Sequence, residues 1–250
     1  MSSVRRKLGT QRRGGSKLPF SPSQMPGIIG WWDISRGVSS TGGLIDSIAD
    51  LSGNGYTLTS TGSNRLTLVS GALNSRAAAE ANGASLFART TGPAQSSDPY
   101  WICCVAKVIT LSTTNNQIFG HNSIGANKGF AIWGTGIVAT NRSMRHEGVA
   151  NFDDGDATTN YEVLSAYATG TAPSMNRVMR VNGTQQFSSG STNYLRTNGS
   201  QFLQIGETSV TGSRSFRFIE GAIGHGVVTD SQMRALEVYF ASKDTGITIS

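Results

Sequence analysis

The sequence predicts an all-β sandwich with one short C-terminal helix and an extended N-terminal arm. Three observations support this prediction. Short apolar stretches alternate with Gly-, Ser- and Asn-rich turns along most of the chain. Only 14% of the 250 residues are charged, whereas 31 are glycine. A single switch from strand-like alternation to helical spacing occurs near residue 229. Because large β-sandwiches often reach this length without splitting, we expect one domain with one core.

Residues 1–25 form a basic arm. Six basic residues precede the first acidic residue, Asp33, and the other 15 basic residues are balanced by 15 acidic ones. The six are Arg5, Arg6, Lys7, Arg12, Arg13 and Lys17. Pro22 and Pro26 favour extended backbone, so we expect residues 1–25 to run as a strap beside a separate domain at 26–250. A solvated tail is the alternative.

The charge of the arm suits either an acidic protein surface or nucleic-acid phosphates. We favour a protein partner, because the second half of the arm carries Phe20, Met25 and prolines. Apolar side chains of this kind contribute nothing to phosphate binding.

The first strand and the turn that follows it come next. Trp31 and Trp32 are neighbours on a strand and therefore point to opposite faces. We expect one in the core and the other towards the arm or a partner. In the stretch 50–55, Asp50 and Asn54 flank Gly53 in a pattern typical of a turn, so we interpret both as turn residues rather than ligands.

The strongest strand is predicted at 100–108, where nearly continuous apolar residues indicate burial on both faces. It contains Cys103 and Cys104, whose side chains should point apart and form no disulfide. Further strands are predicted at 117–120, 129–133, 163–168, 177–181 and 202–206. Asn182-Gly183 predicts a type I′ hairpin. The loops at 88–99, 120–128, 140–160 and 188–200 are the expected places for a binding surface.

The last elements are a glycine-rich strand and a helix. Gly221 and Gly224 interrupt the apolar run after Phe216, which indicates close backbone approaches. Thr229-Asp230-Ser231-Gln232 matches a capping box. The helix that follows has an apolar stripe at Met233, Leu236 and Phe240, and Gly246 should end it.

Three stretches in this order resemble the concanavalin A-like (laminin G-like) jelly-roll domains. They are the opening strand 26–33 with the turn at 48–55, the hairpin 180–184, and the strand and helix at 216–243. The resemblance covers residues 26–250. It implies that the Ala-rich segment at 77–83 is a strand ending at Asn82-Gly83. It does not imply one function, because lectins, glycanases and structural modules share this fold.

Catalytic residues are not identified. Glu147, Glu162, Glu207 and Glu220 are isolated in the sequence, and His121, His146 and His225 lack a neighbouring nucleophile. The Glu-x-Asp-x-x-Glu strand of concanavalin A-like glycanases is missing. We therefore expect a protein that is not an enzyme.

Metal binding has one candidate. Asp153, Asp154 and Asp156 could bind Ca²⁺ on a Gly-bearing loop, although we favour the simpler interpretation of an acidic surface turn. No other cofactor is expected.

The resemblance includes phage and bacterial surface proteins. The first functional hypothesis is therefore a bacteriophage virion structural protein, either a capsid decoration or head-fibre module or a tail module. Its arm would bind neighbouring capsid or tail subunits, and we expect a homo-oligomer. The alternative is a lectin-like module with Trp133 and Tyr194 stacking on sugars. The N-terminus has no apolar signal segment and the chain no long apolar run, so we expect synthesis in a host cytoplasm and no membrane contact.

Overall fold

The computed structural model describes residues 20–84, 86–93, 99–110, 117–123, 129–133, 141–146, 152–156, 158–171, 174–189, 201–206, 213–244 and 246–250. Within them, seventeen β-strands are followed by one α-helix. The strands are β1 (Ile28–Asp33), β2 (Val38–Thr41), β3 (Leu44–Ile48), β4 (Leu58–Thr59), β5 (Thr67–Leu73), β6 (Arg76–Ala84), β7 (Phe87–Thr91), β8 (Tyr100–Val108), β9 (Gln117–Ser123), β10 (Gly129–Trp133), β11 (Asn141–His146), β12 (Phe152–Asp156), β13 (Glu162–Thr171), β14 (Ser174–Val181), β15 (Thr184–Ser189), β16 (Gln201–Gly206) and β17 (Ser213–His225). The helix is α1 (Asp230–Ser242).

Antiparallel pairing connects all these strands, and the sheet folds over itself into two layers. The first layer runs β15-β14-β13-β8-β17, and β17 pairs further with β6 along its first half and with β1 along its second. The second layer runs β4-β7-β16-β9-β10-β11-β12. The predicted all-β sandwich with one C-terminal helix is therefore confirmed.

The central strands of the first layer are buried on both faces, so strands and helix form three layers there. Ile102 and Cys104 of β8 face the core between the two strand layers. Cys103 and Val105 face a second core beneath α1. Both cysteines are free and buried, as the alternation of a strand predicted.

The tryptophan pair is divided between the two cores. Trp32 lies in the core between the strand layers, where its Nε1 donates to the Tyr56 carbonyl at 2.9 Å. Trp31 faces the helix, and its ring contacts that of Tyr239 edge-on at 6.2 Å between centroids. Tyr239 in turn contacts Phe20 at 6.2 Å. The prediction of opposite faces is confirmed, and the outer tryptophan meets the helix and, through it, the end of the arm.

The two predicted turns have the expected structure. The Asp50 carboxylate accepts hydrogen bonds from the backbone N–H of Trp31 at 3.0 Å and of Ser52 at 2.8 Å. The Asn54 amide donates to the Ile28 carbonyl at 2.9 Å. Both residues therefore hold the turn against β1. Asn182 and Gly183 have φ of 50° and 80° and join β14 to β15, as a type I′ hairpin requires.

The close backbone approaches predicted for the glycines of β17 are also present. A Cβ on Gly224 would lie 2.3 Å from the Trp101 ring, and one on Gly221 would lie 2.8 Å from the Phe218 ring. β6 ends at Ala84, close to the predicted Asn82-Gly83. Helix α1 begins after the Thr229 cap, as predicted.

The helix ends at Ser242 with Lys243 as its C-terminal cap, in agreement with the predicted strand and helix at 216–243. The side chains of Lys243 and Asp244 belong to a cluster of ion pairs described below. One local prediction needs correction. Residues 20–25 are not a simple extended strap: Pro22–Gln24 form a 3₁₀ turn, and Pro22 and Met25 are buried on the helix side. The Ser21 N–H donates to the Gln24 side-chain oxygen at 2.9 Å and closes this turn.

Within the described part of the chain, no helix has the length and apolar character required to span a bilayer.

Candidate functional site

The candidate ligand residues named from the sequence fall on strands or outside the described residues. Trp133 is the last residue of β10, paired with Ser143 of β11, which is itself opposite Asp153. Tyr194 and the six basic residues of the arm lie outside the described residues. The predicted loops at 88–99, 120–128 and 140–160 are wrong in part, because β7, β9, β11 and β12 occupy much of them.

The acidic group is on a strand rather than on a loop. Asp153, Asp154 and Asp156 all belong to β12. Asp153 pairs with Ser143 of β11 and Asp156 pairs with Asn141, and a register shift lies between these two pairs. Among the side chains that the structure describes, no three His, Cys, Asp or Glu residues are positioned to share a metal ion. The Ca²⁺ assignment therefore stays a prediction from the sequence.

The outer face of the second layer has a row of residues that crosses five strand pairings. Successive residues in register along this row are Thr59, Arg89, Gln204, Gly120, Ala131 and Arg145. Their neighbours along the strands, such as Leu58, Ala88 and Leu203, belong to the core between the layers. Hence the row lies on the face that points away from α1.

One end of this row forms a distinct patch, which we call the Arg89 patch. It consists of Thr59, Phe87, Arg89, Thr91, Phe202 and Gln204. The Arg89 guanidinium lies 4.9 Å from the centroid of the Phe87 ring and 4.6 Å from that of Phe202. Phe87 and Gln204 lie on the same face as Arg89 but are nearly buried, at 8% and 3% exposure. Thr59 and Thr91 are exposed, and Arg89 and Phe202 are half-buried, so these four side chains are accessible to a ligand.

A second polar site lies on the other side of the molecule, where α1 ends. Glu220 is fully buried and accepts from Lys243 Nζ at 2.7 and 2.8 Å, from Arg76 at 2.6 Å and from the Trp31 indole N–H at 2.7 Å. Arg76 also binds Asp244 at 2.8 Å and lies 3.3 Å from Asp33. We call these five charged residues, Asp33, Arg76, Glu220, Lys243 and Asp244, the Glu220 cluster.

Ion pairs within the Glu220 cluster connect four elements of the fold. Asp33 and Glu220 face each other across β1 and β17, Arg76 comes from β6, and Lys243 and Asp244 follow α1. Burial raises the pKa of Asp244, and the neighbouring Arg76 counteracts this effect. Because each carboxylate already has a cation as partner, the geometry is that of a structural ion network.

A smaller polar group lies beneath the helix. Glu237 is fully buried, accepts a hydrogen bond from the Ser165 hydroxyl at 2.5 Å and lies 3.8 Å from Arg180. Tyr167 donates to Asp230 at 2.6 Å, and Arg180 lies 3.2 Å from the same carboxylate. Burial raises the pKa of Glu237, and the Ser165 hydrogen bond opposes this. This group also connects the helix to the first layer.

The sequence analysis missed both principal sites. Glu220 was described as isolated, which is wrong, because its partners are separated from it by 144 residues at Arg76 and 23 at Lys243. Arg89 was not identified, since its aromatic neighbour Phe202 is on a strand far along the chain. The alternation of Phe87, Arg89 and Thr91 was the one local signal that could have suggested a polar strand face.

Comparison with known proteins gives a fold but no family. No protein-family model matches the chain, and no curated protein matches it. Among solved structures, a GH54 α-L-arabinofuranosidase is similar with a TM-score of 0.60 and 14% identity over 80% of this chain and 51% of its own.

Two further solved structures are similar at the same level. A botulinum neurotoxin serotype D ligand-binding domain in complex with N-acetylneuraminic acid has a TM-score of 0.59 and 11% identity over 84% of this chain and 50% of its own. A Trypanosoma rangeli sialidase in complex with 2,3-difluorosialic acid has a TM-score of 0.60 and 11% identity over 91% of this chain and 34% of its own. This chain therefore spans about half or less of each of these proteins.

These similarities correct one expectation. The absence of catalytic motifs led us to expect a protein that is not an enzyme, and that conclusion is wrong, because the same fold occurs in an arabinofuranosidase and a sialidase. At identities of this size the similarity demonstrates the fold alone. The chain is thus a β-sandwich of the type found in carbohydrate-binding and glycosidase proteins.

Proposed function

We propose that this domain binds carbohydrate on the outer face of its second strand layer. The single observation that carries the proposal is the Arg89 patch, where a guanidinium is held between two phenylalanine rings on a face that α1 does not cover. Sugars present apolar C–H faces and hydroxyl groups together. An accessible aromatic ring beside a planar donor and two threonine hydroxyls fits both.

The comparisons support the same proposal from a separate direction. One neighbour is in complex with N-acetylneuraminic acid, another with 2,3-difluorosialic acid, and a third is an arabinofuranosidase. Trp133 belongs to the same layer as the patch, three strands from β7. A separation of about 14 Å follows from the usual strand spacing, which is within the span of a short oligosaccharide.

The proposal is tested with a panel of immobilised glycans. The full chain should bind at least one glycan, and Arg89→Ala should weaken that binding at least tenfold. Arg36→Ala is the matched control, because the Arg36 guanidinium also lies over an aromatic ring, Trp31, at 5.4 Å, but on the helix side. Its affinity should stay within about twofold of the original. No binding to any glycan, or equal losses in both variants, would refute the assignment.

The helix side supports a second proposal, attachment to a protein partner through the arm. Phe20, the first described residue, packs against Tyr239 of α1, whereas the Arg89 patch lies on the opposite side of the molecule. The described end of the arm therefore meets the domain on the helix side, away from the proposed sugar face. Neighbouring virion subunits and further copies of this chain are the partners that the sequence resemblance implies.

Titration with duplex DNA distinguishes this proposal from nucleic-acid binding. If the arm neutralised phosphates, log K would fall with log salt concentration by about 0.9 per phosphate contacted. We expect weak binding without such a slope. Tight and salt-steep binding that is lost with residues 1–19 would identify nucleic acid as the partner instead.

The solved structures described above give no support for the virion role, which rests on the sequence resemblance alone. The narrower concanavalin A-like assignment rests on the same motifs.

A further inference from the structure

We propose that Arg89 makes the outer face selective for sugars that carry a carboxylate, such as uronic acids. This inference rests on the carbohydrate-binding function proposed above and adds the chemical class of the ligand. It depends on three properties of Arg89: its lack of an acidic partner, its restricted position and the charges around it.

The first property separates Arg89 from most other arginines that the structure describes. Arg65, Arg76, Arg180 and Arg217 each lie within 4 Å of an aspartate or glutamate oxygen. No carboxylate of a described side chain lies within that distance of Arg89, whose contacts are with the Phe87 and Phe202 rings. Among the described residues, this half-buried guanidinium therefore has no anion beside it, and its N–H donors keep the capacity to form an ion pair.

The second property is restraint of the side chain before a ligand arrives. Contacts with two rings limit the rotamers of Arg89, and the buried Gln204 lies opposite it on β16. An arginine already held in place loses less conformational freedom on binding. Its N–H donors match the two oxygens of a carboxylate, and such charge-assisted bonds are roughly twice as strong as those to neutral hydroxyls.

The third property is that the described neighbours of Arg89 include no unpaired carboxylate. The adjoining strand β3 carries Asp46, next to the residue opposite Thr59, and that carboxylate is already bound to Arg65. Thr59, Gln204 and Phe202 are uncharged, and the row through Arg89 carries a second cation position at Arg145 and no acidic residue. The acidic residues of β12 are five strand spacings away, about 24 Å, which is beyond the screening length in physiological salt. An acidic sugar would therefore meet a local positive potential at the Arg89 patch.

Each accessible side chain of the Arg89 patch would contact a different part of an acidic sugar. The carboxylate of the sugar would bind the guanidinium edge, and the ring face of the sugar would pack on Phe202. Thr59 and Thr91 lie on either side, opposite Arg89 and Phe202 respectively. The Thr59 hydroxyl donates to the Arg89 carbonyl at 3.3 Å, so its oxygen could accept from a sugar hydroxyl, and the exposed Thr91 hydroxyl could donate or accept. A neutral sugar could make the last two contacts but not the first.

The test compares acidic polysaccharides with their own neutral forms. Polygalacturonate, alginate and hyaluronan are each prepared intact and with the carboxyl groups reduced to alcohols. The full chain should bind at least one intact polymer tenfold more tightly than its reduced form. In Arg89→Gln this ratio should fall to about one, whereas Arg36→Gln, which removes the same charge from the helix side, should keep it. Thermal unfolding of both variants verifies that they are folded.

Simple charge attraction is controlled with polyglutamate, because the chain has a net charge of +6. Binding to polyglutamate that Arg89→Gln weakens equally would overturn the sugar-specific assignment. Equal affinity for intact and reduced polymers would overturn selectivity for carboxylates while leaving carbohydrate binding in place. Failure to bind any glycan, acidic or neutral, would overturn both proposals.

Discussion

The Glu220 cluster and the Arg89 patch are both built from cations beside aromatic rings, yet they differ in how the charge is satisfied. In the cluster, Lys243 lies 4.2 Å from the Tyr239 ring centroid and 2.7 Å from a carboxylate oxygen. In the patch, Arg89 has the aromatic contacts alone among the described residues. The first site is complete within the protein and connects the helix to the strands. In the second site, the guanidinium N–H groups of Arg89 have no carboxylate partner among the described residues, and the patch lies on the outer face of the second layer, where a ligand could bind.

This contrast predicts opposite phenotypes for the two sites, and the largest effect is expected at Glu220. Glu220→Gln keeps the size of the side chain but leaves Arg76 and Lys243 with one anion fewer in a buried site. Removing one partner of a buried ion pair typically costs about 3 to 5 kcal/mol of unfolding free energy. Urea unfolding measures the loss, and glycan binding by the folded fraction should be unchanged.

Glu80→Gln is the matched control for this change. Glu80 pairs with Arg217 at 2.6 Å, but both side chains are partly exposed, so the expected loss is about 1 kcal/mol or less. If Glu220→Gln were as mild as Glu80→Gln, the cluster would not be the stabilising site that its geometry indicates.

A second prediction tests the helix layer itself. Leu236 is fully buried between α1 and the first layer, so Leu236→Ala should cost about 2 to 5 kcal/mol. Val238 lies on the same helix at 48% exposure, and Val238→Ala should cost less than about 0.5 kcal/mol. Similar losses for both changes in urea unfolding would mean that the helix does not pack through the predicted stripe.

A third prediction concerns where the arm ends and the domain begins. A chain that starts at Phe20 should unfold within about 0.5 kcal/mol of the full chain. A chain that starts at Pro26 also loses the buried Pro22 and Met25, the latter at 3% exposure, and should be less stable by about 1.5 to 3 kcal/mol. If the two truncated chains had equal melting temperatures, the packing of residues 20–25 would be energetically irrelevant.

Local patterns predicted most of the fold but neither principal site. Alternation placed Cys103 and Cys104 on opposite faces, Asn182-Gly183 identified its hairpin, and Thr229 marked the start of the helix, because each depends on a few consecutive residues. The Glu220 cluster and the Arg89 patch depend on which strands become neighbours. Phe202 meets Arg89 only because β16 pairs with β7, and no spacing in the sequence specifies that pairing.

The smallest expected effect concerns the pH dependence of the unfolding free energy, to which Glu237, the buried carboxyl beneath the helix, contributes. Burial raises the pKa of Glu237 above its ordinary value of 4.5, while Ser165 and Arg180 oppose the shift. A carboxyl with a raised pKa binds its proton more tightly in the folded chain than in the unfolded chain. Its contribution to stability is therefore complete below about pH 4.5 and is lost as the pH rises through the folded pKa.

Glu237→Gln removes this titration while keeping an acceptor for the Ser165 hydroxyl. The unfolding free energy of the original chain should therefore fall relative to that of the variant between about pH 4.5 and neutrality. Asp244, whose pKa is also raised, titrates in both chains and cancels from the difference. Urea unfolding at several pH values gives the two curves. A difference that changes in the opposite direction would show that the Arg180 ion pair outweighs burial at Glu237, and that this site resembles the charge-satisfied Glu220 cluster.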